Sequence, residues 1–153
     1  NPSIAAEASA TTIYTKGKTA ATITVTKYGV AGTTKFISSN KKIATVDSKG
    51  VVRAKKAGTV KITAQVGSYK KVVTIKVRTA SLKLTKKAAT VKRGKTTTIK
   101  VSAVPTGKVT YTSSNKKVAT VTSKGVVKGL KKGTATITVR CNGMTAKFKV
   151  TVK

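Results

Sequence analysis

Apolar and polar residues alternate along most of this chain. Val60, Ile62, Ala64 and Val66 are separated by Lys61, Thr63 and Gln65. A period of two predicts a strand with one face buried and one in water. After a turn at Gly67-Ser68, the next run puts Val73, Ile75 and Val77 inside and Thr74 and Lys76 outside. Upstream, Ile13 marks a short first strand. Ile23 and Val25 face in, Thr22, Thr24 and Thr26 face out, and Phe36 centres a third strand. Residues 43–46 and 51–54 predict two short strands around the turn Ser48-Lys49-Gly50. Neither of these two has clean alternation, so their inward parity stays open. Seven short β runs with frequent turns predict a two-sheet sandwich. Valine, isoleucine and threonine suit it, because β-branched side chains pack well on a pleated surface.

The second half of the chain repeats the first. Residues 38–66 read SSNKKIATVDSKGVVRAKKAGTVKITAQV and residues 113–141 read SSNKKVATVTSKGVVKGLKKGTATITVRC. They align without a gap at an offset of 75, with 18 of 29 positions identical. So long a period indicates a duplicated small domain and not a solenoid. Leu82 and Leu84 start the second copy, Ile99 and Val101 follow, and Tyr111 replaces Phe36. Ala135, Ile137, Val139 and Cys141 face in, Thr136, Thr138 and Arg140 face out, and Phe148, Val150 and Val152 close it. Domain 1 is expected over residues 11–78 and domain 2 over 79–153. The connection Arg78-Thr79-Ala80-Ser81 has no Gly or Pro, so the two domains are expected end to end with little free rotation.

The run S-S-N-x-x-[IV]-A-T-V-x-S-K-G-V-V, followed by G-T-x-x-I-T, resembles the bacterial immunoglobulin-like group 2 family, and both copies carry it in full. The resemblance implies two tandem Ig-like β-sandwich domains of about seven strands each. It also implies a secreted or bacterial cell-surface protein, adhesins among them. It implies no particular ligand.

Residues 1–10, NPSIAAEASA, match nothing in the second copy. Ala8-Ser9-Ala10 has the form of a signal-peptidase site without the rest of a signal peptide. The segment is expected to be a leader remnant or an extra strand, and as a strand it could join a neighbouring copy's sheet edge.

Catalysis is hard to build from these residues. There is no His, and Glu7 and Asp47 are the only acids. That removes a Ser-His-Asp triad, and Thr122 in place of Asp47 removes a shared carboxylate pair. Two acids and one Cys also leave too few ligands for calcium or zinc. No catalytic residue, cofactor or metal is expected. Cys141 aligns with Val66 and reads as a core residue. Ser39-Asn40 and Ser114-Asn115 read as structural, with side chains bonded to nearby backbone. No run of 18 apolar residues exists to span a membrane.

Charge changes the picture. The chain has 33 Lys plus Arg and a net charge of +31. The second half, from residue 79, holds 18 cations and no acid. In an Ig-like strand order the first, third and fifth turns share the C-terminal end of a domain. In copy one these turns carry Lys16 and Lys18, Lys41 and Lys42, and Lys55 and Lys56. In copy two they carry Lys92, Arg93 and Lys95, Lys116 and Lys117, and Lys131 and Lys132. Lysines on turns keep a protein soluble and blunt sheet edges, but solubility alone does not call for the near absence of acids. These thirteen residues are therefore the candidate site for anionic polymers or acidic glycans of a cell wall or host surface. The leading reading is a non-catalytic structural or adhesive module. A self-assembling surface-layer or fibre subunit is one alternative. Nucleic-acid binding is another, weakened by an aromatic content of 4% with no Trp.

Overall fold

The computed structural model describes all 153 residues and divides into two units, Asn1–Thr79 and Ala80–Lys153. Every regular element is a β-strand, and no helix is long and apolar enough to cross a membrane.

In the first unit the strands are β1 (Ser3–Ala8), β2 (Thr12–Tyr14), β3 (Ala20–Tyr28), β4 (Thr34–Ser38), β5 (Ala44–Val46), β6 (Val51–Ala54), β7 (Gly58–Val66) and β8 (Tyr69–Arg78). They form two four-stranded sheets, in the orders β1-β3-β6-β5 and β2-β8-β7-β4. All pairs are antiparallel except β2 with β8. The long hairpin β7–β8 sets the core register: Val60 faces Ile75 and Ile62 faces Val73 across the ladder. Ile23, Ala44 and Val52 from the opposite sheet close over them. Ile62 and Ile75 are fully buried, and such burial contributes about 1.5–3 kcal/mol per side chain.

The second unit holds β9 (Ser81–Leu84), β10 (Ala88–Val91), β11 (Thr96–Thr98), β12 (Val101–Val104), β13 (Thr110–Ser113), β14 (Ala119–Val121), β15 (Val126–Gly129), β16 (Gly133–Cys141) and β17 (Met144–Val152). One sheet runs β10-β17-β16-β13, and across the core lie β11-β15-β14 and the pair β12-β9. Ile137 faces Phe148 and Ala135 faces Val150. Cys141 is buried, and so is Val66 at the matching place.

The strand count differs from seven for two reasons. The first strand of each unit is divided between the sheets. β1 pairs antiparallel with β3, and β2 then pairs parallel with β8 on the other sheet. β9 and β10 make the same division. In the second unit, Ile99 and Lys100 also separate β11 from β12, where the first unit has the single strand β3. The parity left open for the short strands resolves with Ala44 and Val52 buried in one unit and Ala119 and Val127 in the other.

Residues 1–10 contain an extra strand, paired within its own unit. Most of them form β1, with Ile4 buried and β3 of the same unit as partner. The strand escapes the sequence pattern because small Ala residues and Glu7 make SIAAEA a weak alternation. Its counterpart SLKL shares little with it.

Candidate anion-binding surface

The repeated motif builds the turns that carry the cations. Ser38 donates its hydroxyl to the Ala44 carbonyl at 2.7 Å, and Ser113 does the same to Ala119. The Lys61 amide donates to Ser39 Oγ, and the Thr136 amide to Ser114 Oγ, both at 2.9 Å. Asn40 Oδ1 accepts from the Lys42 amide at 3.0 Å, and Asn115 Oδ1 accepts from the Lys117 amide at 3.1 Å. These polar side chains hold the third turn closed, as the sequence reading expected, and leave Lys41, Lys42, Lys116 and Lys117 exposed.

Three turns are tied together at one end of each unit. In the first, the Ala54 amide donates to the Thr19 carbonyl at 2.8 Å, linking the turns that hold Lys18 and Lys55. The Lys55 and Lys56 amides both donate to the Ile43 carbonyl, linking the turns that hold Lys42 and Lys56. In the second, the Gly129 amide donates to the Lys95 carbonyl, and the Leu130 and Lys131 amides donate to the Val118 carbonyl. All thirteen candidate cations are exposed.

The side chains do not all gather in one place. Lys92, Arg93 and Lys132 line one open groove of about 510 Å³, and Lys153 joins them. Lys153 is held there by two backbone bonds. Its amide donates to the Val91 carbonyl at 3.0 Å, and its carbonyl accepts from the Arg93 amide at 2.9 Å. Sequence reasoning missed it, because Lys153 lies outside the basic turns and reaches the groove only through the pairing of β17 with β10. Lys116 lines a different groove of about 340 Å³ beside Tyr111, and Lys41 lines the matching groove of about 310 Å³ beside Phe36.

The acids do not offset this charge. The Asp47 carboxylate faces Arg53 at 4.0 Å, the one ion pair in the chain. Its Oδ1 also accepts from the Val51 amide at 3.0 Å and the Lys49 amide at 2.9 Å. The Val51 bond above all holds this carboxyl below the usual aspartate range, and the Lys49 bond and the charges of Arg53 and Lys49 add to it. In the second unit Thr122 Oγ1 accepts the equivalent bonds from Lys124 and Val126, so the turn is built there without charge. Burial, with Cys141 nearby, raises the Tyr111 phenol above its ordinary value. No three His, Cys, Asp or Glu side chains come together as metal ligands would.

The profile of the bacterial Ig-like domain (group 2) matches residues 5–77 and again residues 78–152. The chain belongs to that family. The two matches fall on the two units, one group 2 domain to each. No curated relative matches it. Among solved structures it is similar to the S-layer protein rSbsC, at 20% identity and a TM-score of 0.46, over 98% of this chain and 27% of that one. It is also similar to a C-terminal fragment of intimin solved with the intimin-binding domain of its translocated receptor. There the identity is 22% and the TM-score 0.46, over 99% and 64% of the two chains. An I-band fragment of titin gives 14% identity and a TM-score of 0.48, over 99% and 65%. The chain therefore spans about a quarter of the length of the first of these.

Proposed function

We propose that this pair of group 2 domains is a non-catalytic module of a secreted or cell-surface bacterial protein that holds anionic polymers through its basic turns. One observation carries the reading. Lys92, Arg93, Lys132 and Lys153 converge on one groove from three separate places in the chain, in a unit that contains no Asp or Glu. Cations that line one groove act together on a polymer segment, because charges closer than the Debye length of about 8 Å at physiological salt are not screened from one another. Each polymer charge they neutralise releases a counterion, so affinity falls steeply as salt rises. Family membership supports the surface location, and the charge supports the partner class.

The test is binding of teichoic acid, heparin, duplex DNA and a neutral glycan to the whole chain at two salt concentrations. Teichoic acid or heparin is expected to bind tightly at low salt and weakly at high salt. Neutral-glycan binding that ignores salt would overturn the reading. Duplex DNA binding more tightly than either polymer would give the nucleic-acid alternative precedence.

A further inference from the structure

The two domains differ at one sheet edge, and the first shows what belongs there. In the first domain Thr22 turns its backbone away from β6 and toward the segment that follows β1. The Ser9 amide donates to the Thr22 carbonyl at 2.9 Å, and the Thr22 amide donates to Ser9 Oγ at 2.9 Å. A piece of extended chain thus fills the edge at Thr22.

In the second domain that filler is gone. Thr98 precedes the buried Ile99 as Thr22 precedes the buried Ile23. The Ile99 amide donates to Gly125 and the Gly129 amide to Lys95, both across the ladder toward β15. Alternate residues in an antiparallel strand point their backbone groups to opposite sides, so Thr96 and Thr98 present theirs to the open side of β11. β11 has no strand on that side. Counted back from the buried Ile13 and Val91, the residue in the place of Ser9 is Lys87. Its carbonyl accepts from the Lys149 amide at 2.9 Å, on the opposite sheet. β10 begins three residues before Val91, whereas β2 begins one residue before Ile13. The chain has crossed early.

The early crossing opens a slot of about 420 Å³ between the sheets. Thr97 and Thr98 line it opposite Ala88 and Ala89, Phe148 contributes an apolar surface, and Lys86 and Lys100 supply charge. We infer that this slot takes a short extended acidic peptide as an added strand on β11. Its backbone N–H meets the Thr98 carbonyl, an oxygen of the peptide accepts from the Thr98 amide, and its carboxylates meet the Lys86 and Lys100 ammonium groups. Lysines beside an open edge disfavour pairing with another copy of a cationic chain, and they leave an acidic strand as the partner that gains. The bonds made by Ser9 favour a peptide over a polysaccharide, because they need a chain that offers donor and acceptor at strand spacing. The slot is separate from the turn grooves.

The test uses the whole chain labelled with nitrogen-15. The probes are a blocked hexapeptide alternating Thr and Asp, the same peptide with alternate amides N-methylated, and heparin. The plain peptide is expected to shift the Thr96 and Thr98 amide signals and to slow exchange of the Thr98 amide. N-methylation keeps the charge and removes backbone donors, so it is expected to weaken binding about tenfold. Lys86→Gln with Lys100→Gln should weaken the plain peptide and leave the backbone edge intact. Thr98→Pro should abolish its binding, since the lost N–H faces away from β15. Equal binding of the two peptides would overturn the inference, as would equal Thr98 protection by heparin or shifts confined to Lys92, Arg93 and Lys132. Polymer binding at the turn grooves is read from different signals, so either proposal can fail without the other.

Discussion

Gly50 lies directly against the ring of Phe36. A Cβ on Gly50 would sit 2.9 Å from Phe36 Cζ and 2.5 Å from the Ile23 carbonyl oxygen, and the residue holds φ at +83°. Gly125 stands in the same relation to Tyr111, with a Cβ 2.9 Å from both Cζ and the hydroxyl oxygen. The glycine of the S-K-G turn is therefore where an aromatic on one sheet reaches the turn of the other.

Gly50→Ala is expected to destabilise the first domain by about 2–3 kcal/mol, since a left-handed backbone and a backbone clash act together. Gly67 has φ at +59° and nothing within 4 Å of an added Cβ. Gly67→Ala should then cost only about 1 kcal/mol from backbone strain. Urea unfolding of both variants checks this. Equal losses would mean that contact with Phe36 adds nothing to the strain.

Cys141→Val should leave stability nearly unchanged, within about 1.5 kcal/mol. Cys141 is 2% exposed, and Val66 at the matching position is fully buried. Slow labelling of the native thiol, with fast labelling after denaturation, is the companion result expected of a packed side chain.

Asp47 should make the first domain acid-sensitive and leave the second unaffected at the matching turn. A carboxyl whose folded pKa is lowered adds stability that is fully present above its unfolded value. That stability is lost as pH falls through about 4 and below, toward the folded value. Thr122 has no such charge. Thermal melts from pH 6 to pH 2 should show the first domain losing stability in this window. Asp47→Thr should remove that part of the loss, and an unchanged profile would mean the Val51 and Lys49 bonds tolerate a protonated acid.

Strands with a full inward face were legible in the sequence. Val60, Ile62, Ala64 and Val66 lie buried as period two requires, because a nine-residue strand on one side of a core must alternate. The three residues of β5 are too few to display a period, and Thr45 and Val46 are both half-buried, so its parity needed the structure. The cations of the turns and their shared end followed from the strand order, but which side chains line one groove did not. Lys153 reaches Arg93 only because β17 runs parallel to β10 and ends beside it, a pairing across some sixty residues that no local pattern encodes. The open edge at Thr98 was hidden for the same reason, since it depends on where the chain crosses between sheets.

Two variants of equal charge separate polymer binding at the groove from diffuse attraction. One variant carries Gln at Lys92, Arg93, Lys132 and Lys153, which line a single groove. The other carries Gln at Lys128, Arg140, Lys147 and Lys149, which are exposed on strands β15, β16 and β17. Both lose four charges, so the long-range attraction set by net charge falls equally. Only the first loses cations held on one rim. If the groove is the site, its variant should lose more teichoic acid affinity, and its plot of log affinity against log salt should flatten by about three to four units. The strand variant should keep most of the slope. Binding isotherms between 50 and about 300 mM salt measure both quantities, in the range where counterion release dominates. Equal slopes would make the protein a diffuse cation, and the lysines would return to a role in solubility and edge protection.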